Sequence, residues 1–211
     1  KLNETVAEDV TLPSLIDGLN TIDYRYEGSF PTFEKGASKE VALSDDILTQ
    51  STYFDMMQQF IKEDDVLLAE QGTSFFGAYD LALPKNMTFI GQPLWGSIGY
   101  TLPATLGTQM ANPNRRNILL IGDGSLQLTV QELSTMIRQD IKPIIFVINN
   151  DGYTVERLIH GMEETYNDIR MWDYKALPKV FGGDNVVVHD VKTSNDLQNV
   201  FDAINAAPEQ L

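Results

Sequence analysis

The sequence predicts an α/β fold in which a parallel sheet is covered by helices on both of its faces. Three short runs, 66–69, 118–121 and 144–148, are entirely apolar, as expected of strands that are buried on both sides. A polar segment that contains glycine follows each run, and the intervening segments carry apolar residues at helical spacing. With 211 residues, of which 43% are hydrophobic, the chain is long enough to bury such a core.

Helices are predicted where apolar residues recur at intervals of three and four. These residues are Phe54, Met57, Phe60 and Ile61 in the first helix; Ile98, Thr101, Leu102 and Thr105 in the second; Leu133, Met136 and Ile137 in the third; and Leu197, Val200, Phe201 and Ile204 in the last. Thr129 and Glu132 form a capping-box pattern ahead of the third helix. Further short strands are predicted at 88–90 and 186–188, so that strands and helices alternate along the chain.

The N-terminal part of the chain differs from this pattern. Helical spacing occurs at Leu12, Leu15, Ile16 and Leu19, and strand-like alternation follows at Tyr24 and Tyr26. The following segment is polar and contains Pro31 and Gly36, which is typical of a linker. We therefore divide the chain into the end of another domain at 1–30, a linker at 31–44 and the main domain at 45–211.

Charge and composition exclude several classes of function. Thirty acidic and fifteen basic residues give a net charge of −15 at pH 7. Such a surface repels phosphate backbones and anionic lipid, so we expect neither nucleic acid nor a membrane as a partner. The absence of cysteine excludes thiolate catalysis and Cys-based zinc sites, and it is typical of a cytoplasmic protein. His160 and His189, the two histidines, are too few for a multi-His metal site.

Two polar segments, 122–125 and 149–152, follow predicted strands at the place where ligands bind in folds of this class. Asp123 offers a carboxylate and Asn150 an amide oxygen, which are hard ligands that suit Mg²⁺. The helix after Gly124 would direct its N-terminus at a phosphate, so the two segments predict a site for Mg²⁺ and a diphosphate. The same residue types form ordinary turns, and composition alone leaves that alternative equally open.

These two segments resemble the GDG…NN signature of thiamine-diphosphate enzymes, and further blocks resemble the 2-oxoacid decarboxylases. The nearest subgroup acts on pyruvate, indolepyruvate and branched-chain 2-oxo acids. The blocks are EQGTSFFG at 70–77, QPLWGSIGYT at 92–101, GDGSLQLTVQE at 122–132, NNDGYTVER at 149–157, IHG at 159–161 and YNDI at 166–169. Because six blocks occur in order, the resemblance outweighs the interpretation as simple turns. It implies a thiamine-diphosphate-binding domain fold.

The resemblance assigns cofactor-binding roles to residues in these blocks. Asp123, Asn150 and the backbone carbonyl of Gly152 would hold Mg²⁺ on the diphosphate. Ile98 would lie between the two rings of the cofactor, and the carbonyl of Gly96 would accept a hydrogen bond from the aminopyrimidine. The other cofactor-binding positions that it implies are Thr73, Gly122, Gly124, Ser125 and Tyr153.

The resemblance also implies a catalytic residue and a substrate pocket. Glu156 would face the carboxylate and the reacting carbon of the substrate. The pocket around the substrate side chain would be lined by Phe75, Phe76, Val155 and Ile159, of which Phe75 and Phe76 fit a core position almost as well. A valine at 155 leaves room for larger side chains, so we expect broad use of 2-oxo acids. His160 fits a surface position and a supporting role equally, and His189 is interpreted as structural.

In this family the active site lies between the diphosphate domain of one subunit and the pyrimidine domain of another. No segment of this sequence resembles that pyrimidine domain. Residues 1–30 resemble the end of the family's middle domain, and we expect the main domain to be truncated at its C-terminal end. The resemblance therefore implies an inactive part of a homo-oligomeric enzyme, a dimer or tetramer, that acts on a 2-oxo acid. A carboligating relative such as an acetolactate synthase, and a stand-alone non-catalytic binding module, stay open as alternatives.

Overall fold

The computed structural model describes residues 9–25, 27–28 and 39–207, which fall into two compact units, 1–34 and 35–211. In the first unit, helix α1 (Leu12–Asn20) confirms the predicted helix and begins after Thr11, whose hydroxyl accepts a hydrogen bond from the N–H of Ser14. The strand-like alternation predicted at Tyr26, most of the predicted linker (31–38) and the last four residues (208–211) lie outside the described residues.

The second unit contains a parallel sheet of four strands, which confirms the predicted fold class. The strands are β1 (Val66–Ala69), β2 (Thr88–Ile90), β3 (Asn117–Gly122) and β4 (Ile144–Ile148), in the order β2-β1-β3-β4. Leu68 pairs with Ile90 on one side and Leu119 on the other, and Ile121 pairs with Val147. All neighbours are parallel, so the four carboxyl ends lie at one edge of the sheet.

Helices cover both faces of this sheet. They are α2 (Gln50–Phe60), α3 (Thr73–Ala78), α4 (Thr101–Ala111), α5 (Asp123–Thr129), α6 (Glu132–Arg138), α7 (Thr154–His160), α8 (Leu177–Val180) and α9 (Ser194–Ala206), with 3₁₀ turns at Thr165–Asn167 and Tyr174–Ala176. None of the described helices combines the length and the apolar character that crossing a membrane requires.

Alternate residues of the central strands supply the two halves of the core. Leu67 and Leu120 pack with α2 and α9 on one face, whereas Leu68 and Leu119 pack with α4, α5 and α6 on the other. All four side chains are 0% exposed. Burying one such leucine contributes about 1.5–3 kcal/mol, which explains why β1 is apolar throughout and β3 is apolar from 118 to 121.

The strand predicted at 186–188 is wrong. These three valines are exposed, and the N–H of Val186 donates to the carbonyl of Gly183 within a turn. An apolar run forms a strand only where a neighbouring strand can take up its backbone hydrogen bonds. Here the N–H of Val186 is already used in a local turn.

The predicted capping box at Thr129 and Glu132 is also wrong, because Thr129 is still helical and its hydroxyl donates to the carbonyl of Gly99 (2.9 Å). A capping box lies instead at the start of α9, where the Thr193 hydroxyl accepts from the N–H of Asp196 (3.1 Å). The carboxylate of Asp196 in turn accepts from the N–H of Thr193 (3.0 Å).

Helix α4 begins at Thr101, so Ile98 lies before the helix in which the sequence placed it. Gly96 and Gly99 have φ of +60° and +81°, a backbone conformation that a right-handed helix cannot contain. The helix begins where the buried carboxylate of Glu70 accepts hydrogen bonds from the N–H (3.1 Å) and hydroxyl (2.8 Å) of Thr101.

Candidate functional site

Three of the four strands deliver polar groups to one place at the carboxyl edge of the sheet. Asp123 follows β3, and its Oδ2 accepts a hydrogen bond from the N–H of Gly152, which follows β4, at 3.0 Å. Asn150, also after β4, donates from Nδ2 to Oγ1 of Thr73, which begins the helix after β1, at 3.2 Å. We call Thr73, Asp123, Asn150 and Gly152 the strand-end cluster. The structure thus brings together the two segments that the sequence placed at strand ends.

Asp123 is a buried carboxylate, only 1% exposed. Burial raises its pKa, although the N–H groups of Gly152 and Gly124 donate to the carboxylate and act in the opposite direction. None of the ion pairs formed by the described residues involves Asp123. A buried charge without a counter-ion is costly, and a bound cation would stabilise this one.

The ligand types in the strand-end cluster fit Mg²⁺. The hydrogen bond from Asn150 to Thr73 uses the amide nitrogen and leaves the amide oxygen for a metal ion. The Gly152 carbonyl accepts from the N–H of Thr154 (2.9 Å), and the Thr154 hydroxyl approaches it only at 3.5 Å, since that hydroxyl donates more closely to the carbonyl of Asn150 (3.2 Å). One carboxylate, one amide and one carbonyl oxygen are the hard ligands that Mg²⁺ prefers. No group of three His, Cys, Asp or Glu side chains in the described part of the chain could hold a metal ion, so a metal at the strand-end cluster would depend on amide and backbone oxygens as well as Asp123.

Close packing explains two of the glycines. A Cβ on Gly124 would lie 2.5 Å from Cε1 of Tyr153, so the tyrosine ring rests on the start of α5. A Cβ on Gly152 would lie 2.7 Å from the carbonyl oxygen of Asn167, and Gly152 also has φ of +106°. Glycine at 124 therefore allows the segment after β4 to approach α5 closely, and glycine at 152 allows the same segment to approach Asn167.

The other predicted cofactor-binding residues surround this cluster. Gly122 ends β3, and Ser125 is buried in the first turn of α5. The segment that carries Gly96 comes close to the end of β1, since a Cβ on Gly96 would lie 4.0 Å from Cγ of Gln71. Ile98 is half-buried in the same segment. These positions agree with the cofactor-binding roles that the resemblance implies, which stay predictions.

The predicted catalytic and pocket residues lie mainly on α7. Glu156 is exposed and its Oε2 lies 3.4 Å from Nε2 of His160, one helical turn later. Val155 is half-buried, and its Cγ2 lies 4.0 Å from where a Cβ on Gly72 would stand. Ile159 and Phe76 are exposed.

Phe75 packs against the hydrophobic core, where its ring approaches Phe89 and the Cα of Gly91. Its surroundings therefore match the core position that the sequence left open, while Phe76 stays on the surface. The second histidine, His189, is exposed between α8 and α9.

Several residues that position the site were missed by the sequence reasoning. Glu70 is completely buried and joins the end of β1 to the start of α4, as described above. Arg157 and Asn167 hold the segment after β4 through hydrogen bonds to its backbone, and Asp168 accepts a hydrogen bond from the Arg157 guanidinium. Their only signal in the sequence was membership of the blocks at 70–77, 149–157 and 166–169, to which no structural role was attached.

The family described as "Thiamine pyrophosphate enzyme, C-terminal TPP binding domain" matches residues 72–209. The chain belongs to this family. Thiamine pyrophosphate is another name for thiamine diphosphate, so the match confirms the resemblance and the thiamine-diphosphate-binding fold. The matched range of this thiamine pyrophosphate enzyme domain contains the whole strand-end cluster and the helix with Glu156.

Individual proteins are similar to this thiamine pyrophosphate enzyme domain over most of its length. The "Alpha-keto-acid decarboxylase" of Mycobacterium tuberculosis (strain ATCC 25618 / H37Rv) is 48% identical over 167 residues, 79% of this chain and 30% of that protein. The "Pyruvate decarboxylase" of Aspergillus terreus is 46% identical over 190 residues, 87% of this chain and 32% of that protein. The "Alpha-keto-acid decarboxylase" of Mycolicibacterium paratuberculosis is 52% identical over 160 residues, 76% of this chain and 28% of that protein. The chain thus spans 28–32% of the length of these relatives.

Proposed function

We propose that this chain is the diphosphate-binding part of a decarboxylase that converts 2-oxo acids to aldehydes and CO₂ with thiamine diphosphate and Mg²⁺. The names of the similar proteins support decarboxylation over the carboligating alternative. Membership of a cofactor-binding family supports thiamine diphosphate itself.

The observation that carries this proposal is the meeting of Asp123 with the segment after β4. Asp123 and Gly152 are 29 residues apart in the chain and meet within hydrogen-bonding distance. The carboxylate of Asp123 is buried and takes part in none of the ion pairs that the described residues form. In our proposal Asp123, Asn150 and the Gly152 carbonyl hold Mg²⁺, and Thr73 and Ser125 lie beside the diphosphate. A buried carboxylate offset by a divalent cation is a stable arrangement, whereas the same carboxylate alone is not.

The other residues are proposed to bind, orient and exchange protons. When bound, thiamine diphosphate supplies the electron sink that decarboxylation requires. The Gly96 carbonyl and the Ile98 side chain would orient the cofactor rings. Glu156 would hold a proton on its carboxyl group and transfer it to the reacting carbon after CO₂ has left. Phe76, Val155 and Ile159 would line the side-chain pocket, with Phe75 supporting it from the core.

A second subunit is proposed to complete this site. Apolar side chains near the predicted site are exposed on the chain, among them Trp95 (86%), Ile159 (64%) and Phe76 (53%). Exposed apolar groups of this size are typical of surfaces that another domain covers. We propose that the pyrimidine domain of a second copy covers them, in a dimer or tetramer, and that the protein works in the cytoplasm.

Calorimetric titration of the chain with thiamine diphosphate in excess Mg²⁺ tests the proposal. Substituting Asp123→Asn removes the anionic ligand, so the affinity for the cofactor should fall by at least about tenfold. Changing a residue that only supports a metal ligand already costs about that much, and Asp123 is proposed as a ligand itself. Asp140→Asn is a matched control, because Asp140 is an exposed aspartate before β4, at the opposite edge of the sheet, and asparagine tolerates its φ of +51°. Equal affinities in the Asp123→Asn variant and the unsubstituted chain would contradict the metal assignment.

A further inference from the structure

One arginine contacts the segment after β4, which would supply two of the three Mg²⁺ ligands. Nη1 of Arg157 donates to the carbonyl oxygen of Asp151 at 2.5 Å. Nη2 donates to Oδ1 of Asp168 at 2.8 Å and to the carbonyl oxygen of Asn167 at 3.5 Å. The arginine side chain is only 14% exposed, so its guanidinium bridges two stretches of chain in a mostly enclosed position.

Asn167 lies beside the Arg157 guanidinium and holds the same segment. Its carbonyl oxygen accepts from the N–H of Tyr153 at 3.2 Å, and it lies so close to Gly152 that any side chain there would collide with it. Asn167 is 1% exposed, which makes this a buried and fixed contact. Gly152 is therefore held between the carboxylate of Asp123 and the carbonyl of Asn167.

The conformation of this segment is one that the backbone does not prefer. Asp151 and Gly152 have φ of +67° and +106° in succession. A non-glycine residue with positive φ costs about 1–2 kcal/mol, so such a turn persists only where surrounding contacts hold it. The contacts that Arg157 and Asn167 make with 151–153 are of this kind.

We propose that Arg157, together with Asn167 and Asp168, is a positioning clamp that presets the metal-ligand segment 150–152. Arg157 also donates its backbone N–H to the carbonyl of Tyr153 (3.0 Å), so the clamp fixes α7, with Glu156, relative to the same segment. The carboxylate of Asp168 pairs with the guanidinium and offsets a positive charge that would otherwise weaken the binding of a cation nearby. The functional part of this proposal rests on the proposed Mg²⁺ site, whereas the clamp itself can be measured without metal.

The first measurement is amide hydrogen exchange in the metal-free 211-residue chain. In Arg157→Gln, exchange at Gly152 and Tyr153 should become about tenfold faster, as expected when one or two hydrogen bonds that hold a turn are lost. Arg157→Lys keeps the positive charge but lacks the planar guanidinium with its several N–H donors, so it should restore only part of the protection from exchange. Amides of β3, such as those of Leu119 and Leu120, report global unfolding and should not change.

The second measurement is the affinity for Mg²⁺ in the presence of thiamine diphosphate. Arg157→Gln and Asp168→Asn should each lower it by about 10-fold or more, as changes to partners of metal ligands do. Asp190→Asn is the matched control, since Asp190 is an exposed aspartate in an ion pair of similar length (2.9 Å, with Lys175) that lies on another segment. It should leave both the exchange pattern and the affinity unchanged.

The two measurements separate the possible failures. If the unsubstituted chain binds no Mg²⁺ with the cofactor, the proposed function fails, while the exchange rates still test the clamp. Unchanged exchange at Gly152 and Tyr153 in Arg157→Gln would overturn the clamp. So would faster exchange that includes β3 to the same degree in both Arg157→Gln and Asp168→Asn, because the pair would then stabilise the whole fold. Unchanged Mg²⁺ affinity with faster local exchange would overturn its role in positioning the ligands.

Discussion

At the scale of single residues, two carboxylates near one edge of the sheet have opposite surroundings. Asp123 is buried and has its pKa raised by that burial, whereas Glu156 is exposed and lies beside His160. Burial beside other oxygen ligands suits a metal ligand, and an exposed carboxyl group on a surface that a partner covers suits proton transfer. Environment, and not residue type, separates the two proposed roles.

A substitution at Glu156 tests this separation in the complete enzyme. Glu156→Gln keeps the size and polarity of the side chain and removes its acidic proton. We expect turnover to fall by about 10²–10⁴-fold, the usual contribution of a general acid, with little change in cofactor affinity. Steady-state kinetics and a cofactor titration measure the two quantities. Glu163→Gln, an exposed glutamate after the same helix, is the control. Equal turnover in the Gln and Glu forms at position 156 would remove the catalytic role.

At the scale of elements, similar local patterns led to different structures. Thr129 and Glu132 match the capping-box pattern, yet α5 continues through Thr129 and its hydroxyl bonds to Gly99. Thr193 and Asp196 form the capping box that the structure contains. An N-cap residue needs an extended backbone, and Thr193 has it (φ −127°, ψ 166°). The pattern of residue types is therefore necessary for a capping box but does not place it.

The capping box of α9 predicts a pH-dependent stability. The N–H groups of Lys192 and Thr193 donate to the carboxylate of Asp196 and lower its pKa. Because the pKa is lower in the folded than in the unfolded chain, the ionised group stabilises the fold above about pH 4, the usual value of an aspartate. This contribution is lost as the pH falls through the lowered pKa. Asp196→Asn should therefore destabilise the chain at pH 7 and progressively less below pH 4.

Urea unfolding at several pH values measures this effect. Thr193→Ala should lower the free energy of unfolding by about 1 kcal/mol at pH 7, as is usual for the loss of an N-cap hydroxyl. Asp202→Asn is the control, since Asp202 lies on the same helix beyond its first turn and is exposed. A loss of stability in Asp196→Asn that stays constant from pH 7 to pH 3 would show that the carboxylate charge is not its cause.

At the scale of the second unit, the two faces of the sheet are closed and its carboxyl edge is rimmed by exposed apolar groups. The central strand β3 is almost completely buried, while Leu94 and Trp95 in the segment before α4 are 90% and 86% exposed. Leu158 and Ile159 on α7 are exposed as well. The core of this unit is therefore buried by its own helices, whereas the exposed apolar groups around the site suit a partner that covers them.

We accordingly predict that the 211-residue chain alone releases no aldehyde from 2-oxo acids, even with saturating thiamine diphosphate and Mg²⁺. The side chain of Glu156 is 51% exposed, and proton transfer of this kind works in a site from which water is excluded. A coupled assay for aldehyde measures the activity, with a complete decarboxylase as the positive control. Aldehyde release by the purified chain at a rate comparable to that enzyme would refute the need for a second domain.

The sequence by itself determined the type and position of most elements. Strands buried on both faces are continuously apolar, so three apolar runs predicted β1, β3 and β4. Apolar residues at helical spacing predicted α2, α6 and α9. The blocks around Asp123 and Asn150 also identified the family, because their residue types and order are specific. These are local properties, which neighbouring residues in the chain decide.

The tertiary structure alone decided the strand order, the start of α4, the absence of a strand at 186–188 and the contacts that position the site. Each depends on a partner that is distant in the chain: Glu70 begins α4 at Thr101, and Asn167 holds Gly152. Many of these contacts are made by backbone N–H and carbonyl groups, which every residue carries in nearly the same form. A pattern of side chains therefore cannot reveal them, and only the folded chain shows which groups meet.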